Sequence, residues 1–191
     1  VHLLRLAADV VAADVAALTD RTPDETARVG AIAARLGTLL REPDLLPPAL
    51  SRPLRAHHRR NLLHRDRAGR FVVMGLVWNA KQGTPVHDHG CFSGVGVYSG
   101  SLRVTNYLRT DDRKTPGRAA LRPILRGRIV AGGVFHGIPP AEEIHEVFNE
   151  GPSIAISIHV YGKDLMGLER LRFDPAAKIY TTFCSPKYDN C

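Results

Sequence analysis

The chain has 191 residues, of which 44% are hydrophobic and 24% charged, and its formal net charge is +7. These values are ordinary for a globular protein with a single domain. No apolar run approaches the roughly 18 residues that a membrane span needs, and the first residues lack the long apolar core of a secretory signal. We therefore expect a cytoplasmic protein with no membrane partner. The three cysteines are too few for a disulfide framework.

Much of the positive charge lies in an arginine-rich stretch between residues 52 and 70. A basic cluster of this kind can bind nucleic acid. However, the chain shows no helix-turn-helix or zinc-finger spacing and no pattern of stacking aromatic residues. We interpret the stretch as a solvated face or an anion pocket, and we expect no nucleic-acid partner.

The first forty residues have the periodicity of two amphipathic helices. Apolar residues recur at helical spacing over residues 3–18 and again over residues 29–40. Thr22, with Glu25 three residues later, matches a capping box and predicts the start of the second helix. Pro43 should follow its end. The two helices are expected to form a packing layer.

From about residue 70 onward the pattern changes to short β-rich runs separated by turns. The predicted strands lie at residues 71–78, 95–98, 102–107, 128–130, 144–148 and 153–161. Gly100 marks a hairpin turn between two of them. Many short strands joined by regular turns predict a β-barrel or jelly roll.

Two histidines separated by one residue, His87 and His89, lie on a segment that reads as a strand. Side chains two apart on a strand face the same side, so this pair can chelate a metal ion. His145 lies in a second alternating segment, and three imidazoles would converge if the two strands were neighbours. His136 is an alternative third ligand, but it lies between glycine and proline turns, and we favour His145.

These segments resemble the two signature motifs of the cupins, whose double-stranded β-helix barrel binds a metal ion. The first is Gly83, three residues, then His87-Asp88-His89, followed by Gly100. The second is His145, three residues, then Asn149.

A narrower resemblance follows from the missing carboxylate. Ordinary cupins carry a glutamate ligand after the second histidine, and its place here falls at Gly94. Gly94 also stands where animal cysteine dioxygenases have a cysteine that cross-links to a tyrosine, so no thioether is expected. A cupin with three histidines and no acid resembles the thiol dioxygenases of the cysteine dioxygenase type. The resemblance runs from His58 to Asp164 and includes the segments His58–Leu62 and Ser157–Tyr161.

The resemblance implies an all-β core, a cupin double-stranded β-helix (jelly-roll barrel), and the two N-terminal α-helices predicted from periodicity are expected to pack outside it. The length of the chain predicts a single domain over residues 1–191. The expected parts are the N-terminal helices (1–42), a connector with the substrate arginine (43–68), the metal-binding barrel (69–165) and a C-terminal tail (166–191).

For the chemistry, the resemblance implies Fe(II) held by His87, His89 and His145. It implies that O₂ is added to the sulfur of a small thiol carboxylate, with L-cysteine as the expected substrate and a sulfinic acid as the product. The partners would be the thiol and O₂, in a monomer or small homo-oligomer.

For the substrate, Tyr161 would hydrogen-bond the thiol substrate or oxygen, with His159 orienting its hydroxyl and Ser157 orienting His159. Arg60 matches the arginine that holds the carboxylate in cysteine dioxygenases. Arg170 lies at about the place of the arginine that does so in 3-mercaptopropionate dioxygenases. Because the chain has both arginines, the choice of thiol stays open.

Two other interpretations keep the barrel. A cupin with zinc, nickel or manganese could catalyse hydrolysis or isomerisation without oxygen. A non-catalytic cupin could act as a sensor that binds a small anion or thiol.

Overall fold

A computed structural model describes residues 2–43, 45–140 and 143–191, and it leaves the side chains of residues 2–8 undescribed. The elements are α1 (His2–Arg21), α2 (Glu25–Leu39), β1 (Arg59–Arg65), β2 (Val72–Trp78), β3 (Val86–His87), β4 (Ser93–Ser99), β5 (Ser101–Arg109), β6 (Leu121–Val130), β7 (Val134–Gly137), β8 (His145–Phe148), β9 (Ala155–Tyr161), β10 (Glu169–Asp174) and β11 (Ile179–Cys184). Neither helix has the length and apolar character that crossing a membrane would require, as far as the described residues extend.

The order of the strands in two antiparallel sheets identifies the fold. The first sheet has the order β1-β2-β9-β4-β7, and the second has the order β11-β10-β3-β8-β5-β6. From β2 to β9 the chain passes repeatedly from one sheet to the other, as in an eight-stranded jelly roll. The prediction of a double-stranded β-helix with an all-β core and two helices outside it is confirmed.

Helix α2 packs on the outer face of the first sheet, because glycine on β4 leaves room for it. A Cβ added at Gly96 would lie 2.6 Å from Cδ1 of Leu40 and 3.1 Å from Cγ of Leu36. Ile32 and Leu36 are buried in one cluster with residues of β2 and β9. The helices therefore cover the outside of the barrel and leave its interior free for a site.

The N-cap of α2 differs from the prediction. The side chain of Asp24, not Thr22, accepts a hydrogen bond of 2.7 Å from the backbone N–H of Ala27. Thr22 instead donates its backbone N–H to the carbonyl of Leu18 at 3.0 Å. Since α1 continues to Arg21, Thr22 belongs to the end of the first helix and cannot begin the second.

Three strands lie outside residues 69–165, the range predicted for the barrel. Strand β1 falls in the predicted connector, while β10 and β11 fall in the predicted C-terminal tail. The buried positions of β1 and β10 include Arg60, Asn61 and Arg170. These polar residues break the alternation of apolar and polar side chains from which a strand is predicted.

The last residues of the chain lie against β1, at the edge of the first sheet. The backbone N–H of Asp189 donates to the carbonyl of Arg60 at 2.8 Å, and the N–H of Arg60 donates to Oδ2 of Asp189 at 2.7 Å. The side-chain amide of Asn190 makes both hydrogen bonds that a strand would make with Leu62, each at 2.9 Å. We call residues 185–191 the tail segment.

Asn149 holds together the loops next to β3, and its replacement is expected to destabilise the fold. Its side chain is buried, and its Nδ2 donates to the carbonyls of Trp78, Asn79 and Ser153 at 3.3, 3.1 and 2.8 Å. We expect Asn149→Ala to lower the free energy of unfolding by about 2–4 kcal/mol, because it removes a buried amide that links three separate carbonyls. Urea unfolding measures the change. A loss below about 0.5 kcal/mol would contradict this role.

Candidate metal centre

The second sheet brings the three predicted histidines together. His87 on β3 and His145 on β8 are directly paired residues of antiparallel strands. Directly opposite residues have Cβ atoms about 5 Å apart and point to the same face. His89 lies two residues later, beyond the end of β3, and its ring packs against the rings of His87 and His145. Strand pairing therefore places His87 and His145 inside the barrel, and the segment that follows β3 brings His89 to the same point.

The imidazoles form a compact triangle. The ring centroids of His87, His89 and His145 are 4.9, 5.0 and 4.8 Å apart, and one ring nitrogen from each lies within 4.8 Å of the others. The Nε2 atoms of His87 and His89 are 3.2 Å apart, a separation that one ion spans with bonds of about 2.1 Å. All three residues are buried. The cluster can hold a metal ion.

Burial keeps these imidazoles neutral. The pKa of His145 is lowered to about 4, first by burial and then by the positive charge of Arg170. Burial, followed by the effect of His145, lowers the pKa values of His87 and His89 well below the usual 6.5. Nδ1 of His87 lies 2.9 Å from the carbonyl of Pro85. It carries the ring hydrogen there, which leaves Nε2 free as a ligand.

The cluster contains no Asp or Glu among the residues that the structure describes. The interior position on β4 is Ser93, which pairs with Tyr161 of β9. Gly94 faces outward, where an added Cβ would lie 3.6 Å from Cγ2 of Ile32. The sequence assignment was therefore one residue too far along the chain, because successive residues of a strand face opposite sides. Ser93 offers neither a carboxylate nor a thiol, so the expectation of a ligand set without an acid is unaffected.

A hydrogen-bonded chain leads from Trp78 to Tyr161 on the interior face of β9. Trp78 Nε1 donates to Ser157 Oγ at 2.8 Å, Ser157 Oγ lies 2.7 Å from His159 Nε2, and His159 Nδ1 lies 2.9 Å from the hydroxyl of Tyr161. The indole can only donate, so we assign the serine hydrogen to His159 Nε2. His159 then carries its hydrogen on Nδ1 and donates it to Tyr161. The hydroxyl hydrogen of Tyr161 is left free to point into the cavity.

Both ring systems at the end of this chain are uncharged at neutral pH. The pKa of His159 is lowered to about 3 by burial and, to a smaller extent, by His145. Burial raises the pKa of Tyr161 well above 10. The Tyr161 ring lies 4.8 Å from the ring of His89. The chain therefore positions a neutral phenol beside the three histidines.

One cavity of about 570 Å³ contains these groups and both predicted arginines. Arg60 enters it from β1 and Arg170 from β10, with only 7% and 8% of their surfaces exposed. Ser157 is the one predicted site residue that does not line the cavity, since it lies behind His159. The volume suits a small molecule.

The cavity also contains residues that were not predicted as site residues. His58, in the segment of the resemblance, stacks on Trp78 with ring centroids 4.4 Å apart, and its pKa is lowered to about 4 by burial and then by Arg60. The tail segment also lines the cavity, from Ser185 to Asp189. No local pattern indicates that this segment returns to the barrel mouth. His136, the alternative third ligand, is exposed on β7.

No protein-family model matches the chain. Among solved structures, a conserved protein with a double-stranded β-helix domain from Klebsiella pneumoniae is 16% identical in sequence and superposes with a TM-score of 0.44. The match covers 72% of this chain and 93% of the Klebsiella chain. The Cnp3 cupin domain of Schizosaccharomyces pombe shares 15% identity and a TM-score of 0.42, covering 55% and 60%. Hydroquinone 1,2-dioxygenase, in complex with Cd²⁺ and 4-hydroxybenzonitrile, shares 13% identity and a TM-score of 0.42, covering 56% and 65%.

Proposed function

We propose that this protein is an Fe(II)-dependent thiol dioxygenase acting on a small thiol carboxylate. The observation that carries the proposal is the donor set: three buried, neutral imidazoles within 4.8 Å of one another, with no acidic member among the described residues. A buried phenol and two buried arginines share the same cavity.

The donor set fits a first-row metal ion. Imidazole nitrogens suit iron, zinc, copper and nickel, and His87, His89 and His145 would hold the ion. Because these ligands are neutral, they cancel none of its charge, which favours binding of a thiolate over a thiol. Ferrous iron, when bound, would relay electrons between sulfur and O₂ and so let the spin-paired thiol react with O₂.

The proposed reaction converts R–SH and O₂ into R–SO₂H. The S–H and O–O bonds break, and two S–O bonds form. Four electrons pass from sulfur to the two oxygen atoms, and the thiol proton ends on the sulfinic acid. The reaction balances without a second reductant, so the cavity needs to accommodate only the thiol and O₂.

The residues of the chain bind and orient the substrate. The free hydroxyl hydrogen of Tyr161 can donate to the substrate or to an oxygen atom beside the histidines. A guanidinium group can hold a carboxylate with two parallel hydrogen bonds and so fix the substrate's orientation. Met74, Leu76 and Val147 give the wall an apolar part, which would keep water away from the sulfur.

Replacing Tyr161 by phenylalanine tests the role of the phenol. Tyr161→Phe keeps the ring and removes only the hydroxyl donor. We expect kcat/KM to fall about 10- to 100-fold, the effect of losing one or two hydrogen bonds in the transition state. Iron content should not change, because the hydroxyl is not among the metal-binding groups.

The matching measurements are oxygen uptake and metal analysis of the same preparations. Tyr98→Phe, on the last part of β4 and away from the cavity lining, is the matched control and should leave both unchanged. A protein that only senses thiols would bind them equally well with or without the Tyr161 hydroxyl.

The proposed activity is tested by loading the protein with Fe(II) without air and then adding thiols with O₂. The panel is L-cysteine, 3-mercaptopropionate, cysteamine and mercaptosuccinate, with oxygen uptake and sulfinic acid as readouts. Uptake with any of these thiols, matched by sulfinic acid, supports the proposal. A protein that binds iron and shows no uptake with the whole panel is not a small-thiol dioxygenase.

A further inference from the structure

The cavity contains an excess of fixed positive charge. Its wall includes Arg60, Arg170, Arg172 and Lys187, while Asp189 is its one acidic residue in the part of the chain that the structure describes. The carboxylate of Asp189 is already engaged by its own surroundings. Oδ1 lies 3.1 Å from Nε2 of His57, and Oδ2 accepts the backbone N–H of Arg60 at 2.7 Å. No free carboxylate remains in the described wall to receive a substrate ammonium group.

Arg60 and Arg170 are buried without an acidic partner. Nη1 of Arg60 donates to the carbonyl of Pro186 at 2.7 Å, and Nη1 of Arg170 donates to the carbonyl of Asp88 at 2.7 Å. Burial lowers the pKa of both guanidinium groups. By contrast, other arginines of the described chain, such as Arg103, pair directly with carboxylates. A buried charge is normally paired with an opposite charge. Two buried guanidinium groups without a carboxylate partner therefore indicate an anionic ligand.

Both arginines have donors to spare. A guanidinium has five N–H donors, and Arg60 uses one of them within the chain. Arg170 uses two of its donors: Nη1 donates to the carbonyl of Asp88 at 2.7 Å and Nη2 to Oγ of Ser185 at 2.5 Å, while its Nε has no partner. Both side chains line the cavity and keep N–H donors that no group of the described chain accepts, and a bound anion can accept them.

The two guanidinium groups reach the cavity from different sheets. Arg60 is on β1 of the first sheet and Arg170 on β10 of the second. Nη1 of Arg60 donates to the carbonyl of Pro186 and Nη2 of Arg170 donates to Oγ of Ser185. The two guanidinium groups therefore lie against adjacent residues of the tail segment, in the cavity that Tyr161 also lines. A ligand with one carboxylate would pair with one guanidinium group and leave the other guanidinium group buried without an anionic partner.

We propose that the cavity selects a thiol carrying two acidic groups, one held by Arg60 and the other by Arg170, as in a thiol-substituted dicarboxylate. This inference rests on the proposed function, and it narrows the substrate class within it. A zwitterionic amino thiol or a thiol monocarboxylate leaves one arginine unpaired and binds more weakly.

The first test measures binding to the metal-free protein, so it does not depend on the reaction. Succinate and butyrate have four carbons each and differ by one carboxylate. Calorimetry should show succinate binding at least tenfold more tightly. Arg60→Gln and Arg170→Gln should each weaken succinate about 10- to 100-fold, while Arg122→Gln, an exposed residue on β6, removes the same charge as a control and changes nothing.

The second test compares oxidation of mercaptosuccinate and 3-mercaptopropionate by the Fe(II)-loaded protein. We expect kcat/KM to be at least tenfold higher for mercaptosuccinate and the difference to disappear in either glutamine variant. Arg60→Lys and Arg170→Lys keep the charge without the fork and should retain part of the preference. Circular dichroism checks that each variant is folded.

The outcomes separate the two proposals. Equal binding of succinate and butyrate overturns the inference, even when thiols are oxidised. The inference is also overturned if the glutamine variants are less stable to heat but still bind succinate more tightly than butyrate. In that case the two arginines would only anchor the tail segment. Tight succinate binding that needs both arginines, without oxidation of any thiol, supports the dianion site and contradicts the dioxygenase.

Discussion

Replacement of His89 by alanine is expected to abolish iron binding and oxygen uptake together. His89 is 1% exposed, and its Nε2 lies 3.2 Å from Nε2 of His87, so the substitution leaves two imidazoles where three are needed. Loss of a residue that merely supports a ligand weakens metal binding about 10- to 100-fold. Loss of a ligand should therefore weaken it by more than about 100-fold. Iron content after dialysis and the initial rate of oxygen uptake measure the effect.

The matched control for this prediction is His136→Ala. His136 is exposed on β7, and it was the alternative third ligand in the sequence. Its replacement should leave iron content and oxygen uptake unchanged. The three-histidine site would be wrong if His89→Ala bound iron as tightly as the unaltered protein.

The metal-free protein is expected to lose stability steeply as the pH falls from about 6.5 towards 4. Four buried histidines and the partly buried His58 have lowered pKa values, about 4 for His58 and His145, about 3 for His159, and well below 6.5 for His87 and His89. An unfolded histidine has a pKa of about 6.5. Between these values the unfolded chain binds more protons than the folded chain, so the free energy of unfolding rises with pH.

Each of these histidines contributes a slope of up to about 1.4 kcal/mol per pH unit within this window and nothing above it. Their sum between pH 6.5 and 5 is on the order of 8 kcal/mol. The partly buried Asp88 and Glu143 act in the opposite direction, because burial raises the pKa of each carboxyl group. Their effect lies at the acidic end of the range, where free carboxyl groups with pKa values near 4 titrate.

Urea unfolding of the metal-free protein at a series of pH values measures this slope. His159→Gln should reduce it by about the contribution of one histidine. An unfolding free energy that stays constant from pH 7 to 5 would mean that these imidazoles are not buried in the neutral form.

Part of the metal centre was predictable because the spacing of His87 and His89 is local. The structure ends β3 at His87, so the segment after the strand, and not strand alternation, brings His89 to the site. The position of His145 opposite His87 needs the pairing of β3 with β8, which no spacing reveals. The choice of His145 as the third ligand came from the resemblance of the second motif to that of the cupins, and the register of the sheet explains why His145 lies opposite His87.

The substrate side of the cavity was harder to predict, for a physical reason. A strand is recognised by apolar residues on its buried face, but a binding site puts polar residues there. Buried positions are occupied by Arg60 and Asn61 on β1 and by Arg170 on β10. The sequence pattern therefore predicted a connector in place of β1 and a C-terminal tail in place of β10. The contacts of the tail segment join residues more than 120 positions apart, and such contacts leave no local signal.

The tail segment has a consequence for how readily this protein can acquire new specificities. Residues from Ser185 to Asp189 form part of the cavity wall but belong to neither sheet. Strand positions are constrained on both faces and by their register, whereas loop residues tolerate replacement. A mutagenesis library restricted to Pro186 and Lys187 could therefore change the shape of the cavity entrance. The three histidines would keep their arrangement, because β3, β8 and the segment after β3 hold them.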